Sequence, residues 1–260
     1  MNLTAEQIQD NWNELMSRID IYISEPRKSK LKAFYEKYAD RIILMPASHK
    51  KEYHSAFPGG YVDHVLRVID ASLDIHNIWV KYGVDTTTYT LEELVFSALN
   101  HDLGKIGNEQ YESYIPQTDQ WRKDKLGEDY TFNSRLEFAS VPDRSLYLLQ
   151  SHDIKYSFNE MITIQTHDGL YDEANKKYLM AFMPEQKPRT SLPYIVHQAD
   201  LLAARVEFER EWLPKFKENT TIEPKKNFSL ETNKGNNKTS KTKALGGIKS
   251  EGLKNLLDSI

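Results

Sequence analysis

A chain of 260 residues is long enough to bury one good-sized core, and a net charge of −4 excludes a whole-protein field that would hold nucleic acid by its phosphates. Cysteine is absent, which excludes disulfides and thiolate metal sites and leaves histidine and carboxylate as the only strong ligands for a transition metal. Residues Met1 to Glu6 lack the basic start of a signal peptide and no apolar run approaches membrane-spanning length, so a soluble, cytoplasmic protein with no membrane partner is expected.

Thr4 and Gln7 have capping-box spacing, and the recurrence of Ile8, Trp12, Leu15, Met16 and Ile19 predicts a first amphipathic helix. Leu31, Phe34, Tyr35, Tyr38, Ile42 and Ile43 predict a second over 29–45, stopped by Pro46. Segment 47–60 reads as a loop leading into a strong helix over 61–82, with His64 on or near the face formed by Tyr61, Val65, Val68 and Ile69. Thr90 and Glu93 repeat the capping-box spacing before the apolar run 91–99. This helix is expected to carry His101 and Asp102 on its last turn, with Gly104 as its stop. Segment 107–133 shows little periodicity and predicts an irregular excursion with one helical turn near 121–126, whose Tyr111, Tyr114, Trp121 and Tyr130 would offer stacking surfaces to a nucleobase.

Helices follow over 142–150 and 158–166, the second ending at His167-Asp168-Gly169. After a loop region over 170–189, a last long helix starts at Ser191 and runs to Phe216. Residues 217–247 are too polar to bury a core and are expected to be a disordered linker. Ile248, Leu253, Leu256, Leu257 and Ile260 suit a short amphipathic helix over 248–260 that could dock a protein partner. Strand-like alternation is nearly absent. The expected fold class is all-α, with N-terminal helices over 1–45 packing on a main body over 46–216.

Four candidate ligands fall on three of these helices: His64, His101 with Asp102, and Asp200. Asp200 stands among Ile195, Val196, Ala199, Leu201, Leu202 and Ala203, where a bare carboxylate is costly to bury unless it meets a cation. A divalent ion at the helix junction would neutralise both aspartates while taking imidazole nitrogen from both histidines. Imidazole ligation favours Mn, Fe, Co, Ni or Zn over Mg, which prefers oxygen shells. Lys105, three residues past Asp102, is the best-placed cation for phosphate charge, with Arg144, Arg189 and Arg205 as further candidates.

The order of a His, a His-Asp doublet and a distant Asp on an all-helical core resembles the HD-domain metal-dependent phosphohydrolase superfamily, over roughly His54 to Glu209. The run from His54 to His64, through Phe57-Pro58-Gly59-Gly60-Tyr61, looks like the lead-in loop and first ligand of HD domains in bacterial 3′–5′ exoribonucleases. His101-Asp102-Leu103-Gly104-Lys105 has the HDxGK form, and Gln198-Ala199-Asp200-Leu201-Leu202-Ala203-Ala204-Arg205 looks like the closing ligand helix. In branches that bind two metals, two further histidines lie between the doublet and the last Asp. His167 matches the second of these; His152 is the nearest substitute for the first, and it lies roughly ten residues late. The resemblance therefore implies one ion, with His167 free to face a substrate phosphate.

The function so implied is hydrolysis of a phosphoester in a nucleotide or short nucleic acid by metal-activated water, with Asp102 and Lys105 as catalytic residues. The alternatives are a 3′–5′ exonuclease, and a non-catalytic nucleotide-sensing or scaffold module.

Overall fold

The computed structural model describes residues 3–51 and 53–214, and within them the chain is all-α apart from one two-stranded hairpin. The expected linker over 217–247 and terminal helix over 248–260 lie outside the described residues.

Helix α1 (Ala5–Tyr22) starts at the Thr4–Gln7 capping box and buries Leu15 and Ile19. The second predicted helix is broken. Helix α2 (Arg27–Lys37) ends where Tyr38 leaves helical geometry, its ring wedged between Phe34 and His152, and α3 (Ala39–Ile42) restarts for one turn. Segment 47–59 folds back on itself, with Ala47 N–H donating to the Ser55 carbonyl at 3.0 Å and Ser48 Oγ to the His54 carbonyl at 2.7 Å. It delivers the chain to α4 (Gly60–Lys81). A Cβ at Gly60 would lie 2.1 Å from the Ser55 carbonyl oxygen, so only glycine lets α4 begin this close to the loop.

Helix α5 (Leu91–Asn100) begins at the Thr90–Glu93 capping box and is buried from Leu94 onward. It stops at Asn100, earlier than the sequence suggested. His101 caps it, Asp102 turns out of it (φ −101°, ψ 10°), and Leu103–Ile106 form a buried 3-10 turn. Gly104 is not the stop. It sits inside that turn, where its N–H donates to Ser145 Oγ at 2.7 Å, and an added Cβ would lie 2.1 Å from the Val141 carbonyl oxygen.

The 107–133 excursion is more ordered than its composition suggests: β1 (Tyr114–Pro116) pairs antiparallel with β2 (Tyr130–Phe132), Tyr114 opposite Phe132, around helix α6 (Gln120–Leu126). Strands of three residues are too short to display an alternating pattern. Helices α7 (Val141–Ser151) and α8 (Phe158–Thr166) follow, capped by Ser140 and Ser157, then the one-turn α9 (Lys176–Leu179) and α10 (Leu192–Glu211). Helix α10 packs along α4 and α8, α4 against α1 and α5, α5 against α8, and α7 against the 3-10 turn after α5. Apolar side chains of α1, α2, α4, α5, α7, α8 and α10 share one cluster.

Because Gly104 holds the doublet's turn against α7 with no room for a methyl, Gly104→Ala should destabilise the protein by about 1–3 kcal/mol, as overpacking does. Urea denaturation of the variant beside the wild type measures the loss.

Candidate metal centre

Two helices end in the same way. His101 caps α5 with Nδ1 2.7 Å from the Ala98 carbonyl, and His167 caps α8 with Nδ1 2.7 Å from the Ile164 carbonyl. A carbonyl only accepts, so each Nδ1 carries the proton and, in the neutral ring, each Nε2 presents its lone pair beyond the helix end. Both histidines are followed by an aspartate, Asp102 and Asp168. His64 from the first turns of α4 and Asp200 from the middle of α10 meet there because these two helices pack side by side.

The four residues singled out in the sequence are brought together. His64 Nε2 lies 3.2 Å from Asp200 Oδ1 and 3.6 Å from Asp102 Oδ2; His101 Nε2 lies 3.4 Å from Asp102 Oδ2 and 3.9 Å from Asp200 Oδ1. His167 joins them, its Nε2 3.5 Å from Asp102 Oδ1 and 3.6 Å from Asp168 Oδ1. Ligands about 2.1 Å from one ion stand about 3.0–3.5 Å apart along the edges of its coordination polyhedron, close to this spacing. Overlapping triads in this cluster, including His64-His101-Asp200 and His101-Asp102-His167, can hold a metal ion.

The fit is sharpened by what the nitrogens lack. Nε2 of His54, His64 and His101 is each buried without a hydrogen-bond partner, although His64 Nε2 approaches Asp200 Oδ1 to 3.2 Å. Buried polar atoms are nearly always paired, and three unpaired imidazole nitrogens beside carboxylates suit a cation.

Burial strips charge from the first two rings: it holds His54 well below the usual imidazole range, helped by His64 and Lys105, and it lowers His64 although Asp200 and Asp102 pull the other way. His167 differs. Burial opposes its charge too, but the Asp102, Asp168 and Asp200 carboxylates outweigh burial and raise it to about 9. Burial would raise both Asp102 and Asp200, yet Lys105 and His101 hold Asp102 well below the carboxylate range and His64 and His101 do the same for Asp200.

The remaining candidates divide. Lys105 is buried, with Nζ 2.5 Å from Asp102 Oδ2, so it faces the cluster. Arg205 is exposed beside the cluster, bonded to Glu209 at 3.0 Å and stacked over Phe208. Arg144 is a correction: its guanidinium is buried and donates to the Gly104, Glu137 and Ala139 carbonyls and to Ser113 Oγ, which makes it a clamp for the 3-10 turn and leaves it no phosphate to bind. Arg189 lines a separate groove with Trp79 and Tyr194. His152 is also corrected. It packs on Phe34 and Tyr38 of the N-terminal region and ligates nothing with His167. Two residues enter the cluster that sequence reasoning passed over as ligands, His54 and Asp168. The signal for Asp168 was present, since α8 repeats the capping box and terminal His-Asp of α5; His54 gave none beyond its place in the lead-in loop.

An open cleft of about 580 Å³ reaches the cluster at His54, Asp168 and Asp200, with Tyr53, Tyr171, Leu201 and Phe208 as its apolar lining. That volume suits a small-molecule ligand. Tyr111, Tyr114, Trp121 and Tyr130 do not line it; Tyr114 packs instead with Phe132 and His49.

The raised His167 has a consequence for stability. Its native protonation is favoured over the unfolded chain's, so the stabilisation is complete below about pH 6.5 and is lost as pH rises through about 9, a difference of about 3 kcal/mol at most. Metal-free protein should therefore melt at falling temperature between those pH values, and His167→Gln should flatten that slope; thermal unfolding in chelator across the range measures it.

No protein-family model, no curated protein and no solved structure matches this chain.

Proposed function

We propose that this chain is a metal-dependent phosphohydrolase of the HD-domain kind, acting on a phosphoester of nucleotide size. The observation that carries the reading is the meeting of His64, His101, Asp102 and Asp200 around orphaned imidazole nitrogens at the end of an open cleft. These four residues would hold one divalent cation, with Mn, Fe, Co, Ni or Zn suiting the mixed nitrogen and oxygen donors better than Mg. Such an ion lowers the pKa of water towards neutrality and draws charge from phosphoryl oxygens.

The side chains divide the remaining work. Lys105, whose charge Asp102 secures against burial, is the cation at hand for the charge that gathers on phosphorus oxygens in the transition state. Tyr53, Tyr171 and Phe208 give the organic part of the ester an apolar wall, and Arg205 meets charge at its rim. Among the described residues that line the cleft, Arg205 is the one lysine or arginine, and it stands with Asp168 and Asp200. A strand of nucleic acid needs many cations along its path. This balance favours a small phosphoester over the exonuclease reading.

The test is a panel of nucleoside mono-, di- and triphosphates, cyclic dinucleotides and short oligonucleotides offered to protein loaded with Mn, Co, Ni, Zn or Mg. Turnover of a small nucleotide that vanishes, together with bound metal, in Asp102→Ala is the expected result. Lys105→Ala should retain metal and lose about 10²-fold in turnover, the cost of one charge-stabilising donor. An Asp102→Ala protein that turns over normally without metal would refute the reading.

A further inference from the structure

Glu207 is a buried carboxylate in the last turns of α10, seven residues beyond Asp200 on the same helix. Taking an ionised carboxylate out of water is costly unless it is fully paired, and this one is committed to a single backbone turn. One oxygen accepts the Ser55 N–H at 2.5 Å and the other accepts the Ser55 hydroxyl at 2.8 Å, with Arg67 of α4 3.5 Å away. Ser55 is itself fully buried and sits at φ +47°, a left-handed conformation that a residue with a side chain adopts only when its surroundings impose it.

What this turn carries is His54. The backbone on either side is fixed: the His54 carbonyl takes the Ser48 hydroxyl, the Ser55 carbonyl takes the Ala47 N–H, and Gly60 has no side chain to push Ser55 away. Held so, the His54 ring lies 4.4 Å from the ring of His64, and its Nε2 is buried, unpaired and grouped with ligand atoms of His64 and Asp102. An imidazole nitrogen this close to a second histidine and a carboxylate, buried and without a hydrogen-bond partner, has the surroundings of a metal ligand.

We infer that His54 belongs to the cation-binding donor set and that Glu207, through Ser55, is the residue that positions it there. The inference rests on the reading of the cluster as a cation site. Helix α10 then contributes twice to one centre: Asp200 as a direct ligand, and Glu207 as a carboxylate that never touches the ion. A purely structural role for Glu207, closing the loop against α10, would affect folding but leave the energetics of His54 and Glu207 independent.

Co²⁺ titration followed by visible absorbance, with bound metal counted after dialysis, separates the two roles in the full chain. His54→Ala and Glu207→Gln should each weaken Co²⁺ binding about 10- to 100-fold, the range typical of residues that orient a ligand. Residues that act through one another are non-additive, so the double variant should bind no more than a few-fold more weakly than His54→Ala alone. Losses that multiply in the double variant, or a Glu207→Gln protein with wild-type affinity, would overturn the inference while leaving the cation reading intact. A wild-type protein that takes up no Co²⁺ overturns both. Should Glu207→Gln not fold, Ser55→Gly deletes only the hydroxyl contact at a backbone angle glycine accepts. The same non-additivity with His54→Ala is then expected, at a few-fold loss.

Discussion

The buried carboxylate of Asp102 is the constraint to which the centre of this fold answers. It stands within 4 Å of His64, His101, His167 and Lys105, and an ionised group so deep in a helical core survives only with its charge met. Lys105 and a protonated His167 face three carboxylates there, Asp102, Asp168 and Asp200, so positive charge is in deficit. Hydrogen bonding is also incomplete, because Nε2 of His54, His64 and His101 is left without a partner. A deficit of positive charge beside unpaired imidazole nitrogens is compatible with a cation site, whereas a structural ion-pair network would satisfy both. A cation that enters must displace the His167 proton or tolerate it, which couples binding to pH.

The means of holding these groups is used twice. Helices α5 and α8 both open with a capping box, pack against each other, and close with a histidine whose Nδ1 is tied to the carbonyl three residues back. Fixing the ring by its own helix end makes its orientation a local property, so assembling the cluster requires only that the helix ends be brought together. The first copy is the more constrained. Gly104, Ser145 and Arg144 absorb the backbone groups that the early end of α5 leaves open, and this frees Asp102 to turn inward.

How much of this was legible follows from the range of each signal. Capping boxes and apolar periodicity are local, and the start of the helix at 5–22 and the helices at 60–81, 91–100 and 158–166 could be read from them to within a residue or two. His64 and Asp200 were legible because a polar group on an apolar face is costly unless it has a partner. Arg144 and His152 were misread because residue type alone cannot say whether a guanidinium meets carbonyls or a ligand, or which neighbours a helix-ending histidine finds. Glu207 and His54 left no trace, since their relation runs from one end of the body to the other through the backbone of Ser55. The hairpin at 114–116 and 130–132 was hidden by strands of three residues.

The distribution of cations completes the argument from site to substrate. Of the positively charged residues considered for phosphate, Arg144 is spent on carbonyls and Arg189 faces another groove, which leaves Lys105 beside Asp102 and Arg205 on the cleft. Among the described residues the cleft carries Arg205 beside the Asp168 and Asp200 carboxylates, so its own field would disfavour an anion unless a divalent ion were held at the cluster. A substrate carrying several phosphates would meet that repulsion at every group beyond the one on the ion. An ester with a single phosphate and an apolar or aromatic remainder would meet it once, and would gain contact with Tyr53, Tyr171 and Phe208 as it entered.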